Sequence, residues 1–110
     1  MQEIKLKIKP NHFLVLQELL PVARIPFGQS QPRAENVLRS ILKGVYKRIV
    51  NKAIDAKSEP NAKPRSFKLA YHEADALERI LRANRGHYHT VSYEYNAIIT
   101  IADELDQKLQ

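Results

Sequence analysis

The chain of 110 residues carries 18 Lys and Arg against 12 Asp and Glu, a net charge of +6, and 44% of its residues are apolar. That length fits one domain, 1–110, with a modest core, and the lack of cysteine excludes disulfides, a thiolate metal site and a cysteine nucleophile. No apolar run approaches the roughly 18–20 residues that span a bilayer, and MQEIKLKIKPN lacks a continuous apolar signal core, so a cytoplasmic protein is expected.

The charge is unevenly placed. Residues 1–85 hold seventeen Lys/Arg against eight Asp/Glu, whereas residues 86–110 hold Lys108 against Glu94, Asp103, Glu104 and Asp106. A basic body of this kind suits a polyanionic partner, most simply nucleic acid.

In chain order, Ile4, Leu6 and Ile8 alternate with Lys5, Lys7 and Lys9. This period of two predicts a half-buried strand over 3–9 with its lysines on the wet face. Pro10 stops the ladder, having no N–H to donate. Asn11 is the expected N-cap of a first helix bearing Phe13, Leu16, Leu19 and Leu20, which Pro21 ends by pushing Leu20 out of helical geometry. Residues 21–34, with three prolines and a glycine, read as an irregular connection that Ile25 and Phe27 pin to the core.

Ser30, Pro32 and Glu35 offer the start of a second helix, expected from about Arg33 to Ala56. Val37, Leu38, Ile41, Leu42, Val45, Ile49 and Ala53 form its apolar face. Arg39, Lys43 and Lys47 form a basic stripe, and Arg48 and Lys52 border the polar face. Gly44 is unfavourable within a helix, which a close crossing there would explain. The linker is 57–65. Phe67, Leu69 and Tyr71 then predict a second strand over 66–71, leading into a third helix on Ala74, Leu77, Ile80 and Leu81 that a left-handed Gly86 terminates. Thr90 or Ser92 caps a fourth helix whose core face is Ala97, Ile98, Ile101, Ala102, Leu105 and Leu109.

A shift of 61 residues lays Leu6 on Phe67, Lys7 on Lys68, Ile8 on Leu69 and Leu16 on Leu77; a shift of 60 lays Ile41 on Ile101 and Val45 on Leu105. The chain therefore reads as two strand-helix-helix repeats, about 3–56 and 66–109. The expected fold is α+β and mainly helical, with four helices packed on a two-stranded ribbon formed by 3–9 and 66–71. Parallel and antiparallel pairing both remain open. Antiparallel pairing would gather Lys5, Lys7, Lys9 and Lys68 on one face.

The stretch IKLKIKPNHFLVLQELL, followed by Gly28-Gln29-Ser30 and the helix RAENVLRSIL, resembles the ribbon-helix-helix DNA-binding fold. FKLAYHEADALERIL, then Gly86 and a fourth helix, offers a second copy. The resemblance implies a fused pseudo-dimer whose outward strand side chains enter the DNA major groove. Lysines there, with Ser66 and Ala70, suit phosphates better than base edges.

Catalytic and metal motifs are weak. His72-Glu73 begins like a zinc-protease motif, but Ala76 stands where its second histidine belongs. His87 and His89 lack a third ligand. Glu73, Asp75 and Glu78 are explained by the dipole of the third helix. There is no Walker loop and no Gly-x-Ser-x-Gly elbow. Tyr71, Tyr88, Tyr93 and Tyr95 read as packing residues rather than base-stacking ones. The expectation is a small basic non-enzymatic protein without cofactor, metal or small-molecule substrate. It binds nucleic acid through Lys5, Lys7, Lys9, Lys68, Arg39, Lys43 and Lys47. The alternative is a protein-protein interaction module or structural accessory subunit, in which the basic body and acidic last helix support self-association.

Overall fold

The computed structural model describes residues 3–23, 32–58, 63–89 and 91–110. Strand β1 (Glu3–Ile8) enters helix α1 (Pro10–Leu19), and helix α2 (Pro32–Ser58) follows. Strand β2 (Arg65–Ala70) then enters helix α3 (Tyr71–Asn84), and helix α4 (Tyr93–Leu109) ends the chain. The protein is mainly helical α+β. The expectations placed on Ile25, Phe27, Gly28–Ser30, Thr90 and the His87 side chain lie outside the described residues.

Alternation in the sequence becomes alternation in burial. Glu3, Lys5 and Lys7 are exposed while Ile4, Leu6 and Ile8 are buried. The strands pair antiparallel, Glu3 with Ala70, Lys5 with Lys68 and Lys7 with Ser66. Leu6 lies opposite Phe67, the residue on which the 61-residue shift places it. A local two-fold axis through that pair would carry each strand onto the other.

The ribbon's apolar face closes over the helices. Phe13 of α1 meets Phe67 edge to face, with ring centroids 5.6 Å apart. Val45, Ile49 and Ala53 of α2, Leu77 and Leu81 of α3, and Ile98, Ile101 and Leu105 of α4 complete this core. Helix α1 packs on α2 and α4, and α3 on α4 and α2, so each unit's first helix touches both second helices.

Several local expectations are corrected. Helix α1 begins at Pro10 itself, because at the first helical position a missing N–H goes unused; Lys9 is the N-cap and Asn11 is already helical. Leu20 stays in right-handed helical geometry, and Pro21 ends α1 by lacking the next donor, so the chain tightens into a 3₁₀ turn over Leu20–Val22. Gly44 makes no close crossing, since a Cβ built on it would meet nothing within 4 Å. Gly86 is not left-handed. Helix α3 instead tightens into a 3₁₀ turn over Arg85–His87, and the buried Asn84 amide donates to the Ile80 carbonyl at 2.8 Å. Val37, expected inside, is 60% exposed, and Tyr71 is the first residue of α3 rather than the last of a strand. Ser92 caps α4, its hydroxyl accepting from the Tyr95 N–H at 3.1 Å.

Candidate nucleic-acid interface

The outward face of the ribbon carries Glu3, Lys5, Lys7, Ser66, Lys68 and Ala70. The three lysines are exposed, and so is Lys9 just past the end of β1. Lys7 Nζ donates across the ribbon to Ser66 Oγ at 3.2 Å. The Lys7 N–H donates to Glu104 Oε2 of α4 at 3.0 Å, and the Lys68 carbonyl accepts from Arg48 of α2 at 2.9 Å. Both groups therefore point away from the neighbouring strand. This makes Lys5–Lys68 a non-hydrogen-bonded pair, the kind in which opposed side chains lie closest. Like charges so opposed are locally unfavourable.

The two edges of the ribbon are held at equivalent places, Lys7 by Glu104 and Lys68 by Arg48. Arg48 does more than cover an edge. Its guanidinium lies over the Phe67 ring, 5.6 Å from the centroid, and pairs with Glu73 at 2.5 Å. Glu73 in turn accepts the Ala70 N–H at 2.9 Å, one half of a capping box whose other half the alanine methyl cannot supply. Burial pushes the Glu73 carboxyl up, but the Ala70 hydrogen bond and Arg48 outweigh it and bring the pKa below the usual glutamate value.

The basic stripe of α2 divides. Arg39, Lys43 and Lys47 are exposed, but Arg39 and Lys43 line a groove toward Leu20, Pro21 and Ala23 at the end of α1. Arg48 lies nine residues beyond Arg39, roughly half a turn round the helix at 3.6 residues per turn. It is Arg48 and Lys52 that meet the ribbon, lining a groove of 400 Å³ with Asn51, Ser66, Phe67 and Lys68. The structure thus gathers Lys5, Lys7 and Lys68, adds Arg48 and Lys52, and leaves Arg39 and Lys43 on another flank. The sequence signal for the two additions was their position beside the Val45–Ile49 face, but which strand lies there depends on tertiary packing.

The acidic charges of α4 are largely engaged inside the molecule. Asp103 pairs with Arg82 at 3.2 Å, and Glu104 holds Lys108 at 3.9 Å besides the Lys7 N–H. His12 is 6% exposed with its ring edge-on to Tyr93 at 5.7 Å; burial, and then Lys9, push its pKa below the ordinary imidazole value. Of the tyrosines, Tyr71 donates to the Leu109 carbonyl at 3.2 Å, and Tyr88 packs on the core. Among the described residues no three His, Asp or Glu side chains gather as a metal site, and no helix is long and apolar enough to cross a membrane.

Compared with known proteins, the chain matches no family model, no curated protein and no solved structure.

Proposed function

We propose that this is a small cytoplasmic, non-enzymatic protein that binds duplex DNA through the lysine face of its ribbon, as a fused pair of strand-helix-helix units resembling a ribbon-helix-helix dimer. The observation that carries the reading is Lys5 set directly opposite Lys68, with Lys7 beside them on one exposed face. A cross-strand lysine pair costs stability in the free protein, and a polyanion relieves that repulsion. A two-stranded ribbon also fits the major groove of B-DNA. The outward set offers point charges and one hydroxyl rather than the amide and guanidinium forks that read bases. Binding is therefore directed at phosphates and tolerant of sequence.

Fluorescence anisotropy on a labelled duplex tests this at about 50 and about 200 mM salt. Three or more neutralised phosphates weaken binding by roughly 40-fold or more over that range, at a log–log slope of about −0.9 per phosphate. Failure to bind below about millimolar at low salt ends the proposal.

A second reading, as an interaction module, is favoured by one observation. Val37, Leu38, Ile41 and Ala76 line a largely apolar groove of 440 Å³ between α2 and α3, rimmed by Arg33, His72, Asp75 and Arg79. Light scattering over a concentration and salt series tests self-association through it. A strict monomer at high concentration counts against that form of the reading.

A further inference from the structure

Of the residues around the groove between α2 and β2, charge pattern marked out Lys68 as a binding residue but not Arg48 or Lys52, and the three together make it strongly cationic. Three of its lining residues are Arg48, Lys52 and Lys68, and none is acidic. Asn51 and Ser66 add an amide and a hydroxyl that can donate hydrogen bonds. The floor is Phe67, 3% exposed. Arg48 is fixed before any ligand arrives, by the Lys68 carbonyl, by Glu73 and by the Phe67 ring. Those contacts use two of its five N–H directions. Neither Lys52 nor Lys68 has a carboxylate partner among the described residues.

We infer that this groove is a phosphate seat, taking one phosphodiester of the duplex backbone while the ribbon face lies along the adjoining major groove. The inference rests on the duplex-binding reading only for the source of the phosphate. Ser66 and Lys68 belong to both surfaces, so a strand whose bases face the ribbon runs its backbone over the α2 side. Lys52 supplies a point charge on a flexible stem, and Arg48, its charge shared with Glu73, offers the N–H directions that its two contacts leave over. Its volume of 400 Å³ leaves room for sugar beside the phosphate.

Amide NMR on the full chain provides the test, with inorganic phosphate and a 16-base-pair duplex as separate probes at matched ionic strength. Phosphate is expected to move Asn51, Lys52, Ser66 and Lys68 saturably where chloride does not. The duplex is expected to move the same set together with Lys5 and Lys7. Lys52→Gln should abolish the phosphate response. It should also make duplex affinity fall about 3-fold less between about 50 and about 200 mM salt, the loss of one phosphate contact. Asn51→Asp, at an exposed position, places a carboxylate in the groove and should do the same without removing a lysine. A phosphate titration that leaves these amides still overturns the seat even if the duplex binds. So does wild-type salt dependence in both variants. A saturable phosphate response without duplex binding leaves the seat standing and overturns the DNA reading instead.

Discussion

At Arg48 a carbonyl, a carboxylate and an aromatic ring converge on one side chain that is 42% exposed. Arg48→Met keeps an apolar side chain of similar reach but removes the guanidinium from the Phe67 ring, Glu73 and the Lys68 carbonyl. It should cost about 1–3 kcal/mol in urea unfolding, toward the lower end because both partners remain partly solvated. Glu73 has its pKa depressed in the folded state, so its contribution is complete above the unfolded value, about 4.3, and is lost as pH falls through the folded one. Glu73→Gln should flatten that acid limb. His12 behaves differently. Its lowered folded pKa means that the unfolded chain binds the proton more readily, so stability declines as pH drops through about 6.5 and levels off below the folded pKa. His12→Gln should remove that slope in unfolding experiments between neutral and mildly acidic pH. Gly44 lies exposed with open space around its Cβ direction, so Gly44→Ala should stabilise by about 0.5–1 kcal/mol.

Among elements, the strands were the most legible, because a period of two dictates which side chains are buried whatever the partner. Ile4, Leu6, Ile8, Phe67 and Leu69 are all inside. Direction was not legible, since alternation is the same read either way along a strand. Helix faces were legible where core contact surrounds them, as in α4. They failed at Val37, which lines the open groove between α2 and α3 and is left exposed while its neighbour Leu38 is buried. Helix ends failed where chain tightening replaced a special residue, as at Leu20 and Gly86. The opposed lysines yield an element-level prediction in which stability and binding part company. Lys5→Glu puts a carboxylate opposite Lys68 and should raise stability by about 0.2–1 kcal/mol while weakening duplex binding. Loss of both, or gain of both, argues against the ribbon face as the interface.

For the whole molecule, the strand-helix-helix order occurs twice, but neither unit holds a core of its own. The core that joins β1 and α1 also contains Phe67, Leu77, Ile98 and Leu105 from the second half. A chain of residues 1–58 loses β1's strand partner and the helices α3 and α4. Circular dichroism and sedimentation should show that it is no folded monomer. The candidate interface was only partly legible at this scale. Lys5, Lys7 and Lys68 follow from alternation plus pairing, but Arg48 and Lys52 join them only because α2 passes beside β2 at its C-terminal half. The same helix carries Arg39 and Lys43 to the opposite flank, so one run of basic residues in sequence serves two separate surfaces.

The hold on both outer edges of the ribbon has a further consequence. A two-stranded sheet with open sides invites a third strand from any neighbouring chain, and stacking can then continue without limit. Glu104 sits on the Lys7 N–H and Arg48 on the Lys68 carbonyl, so on each side one outward backbone group is occupied by a charged side chain from a helix. An incoming strand would have to displace these side chains to pair there, while the lysine face between the two edges is left open.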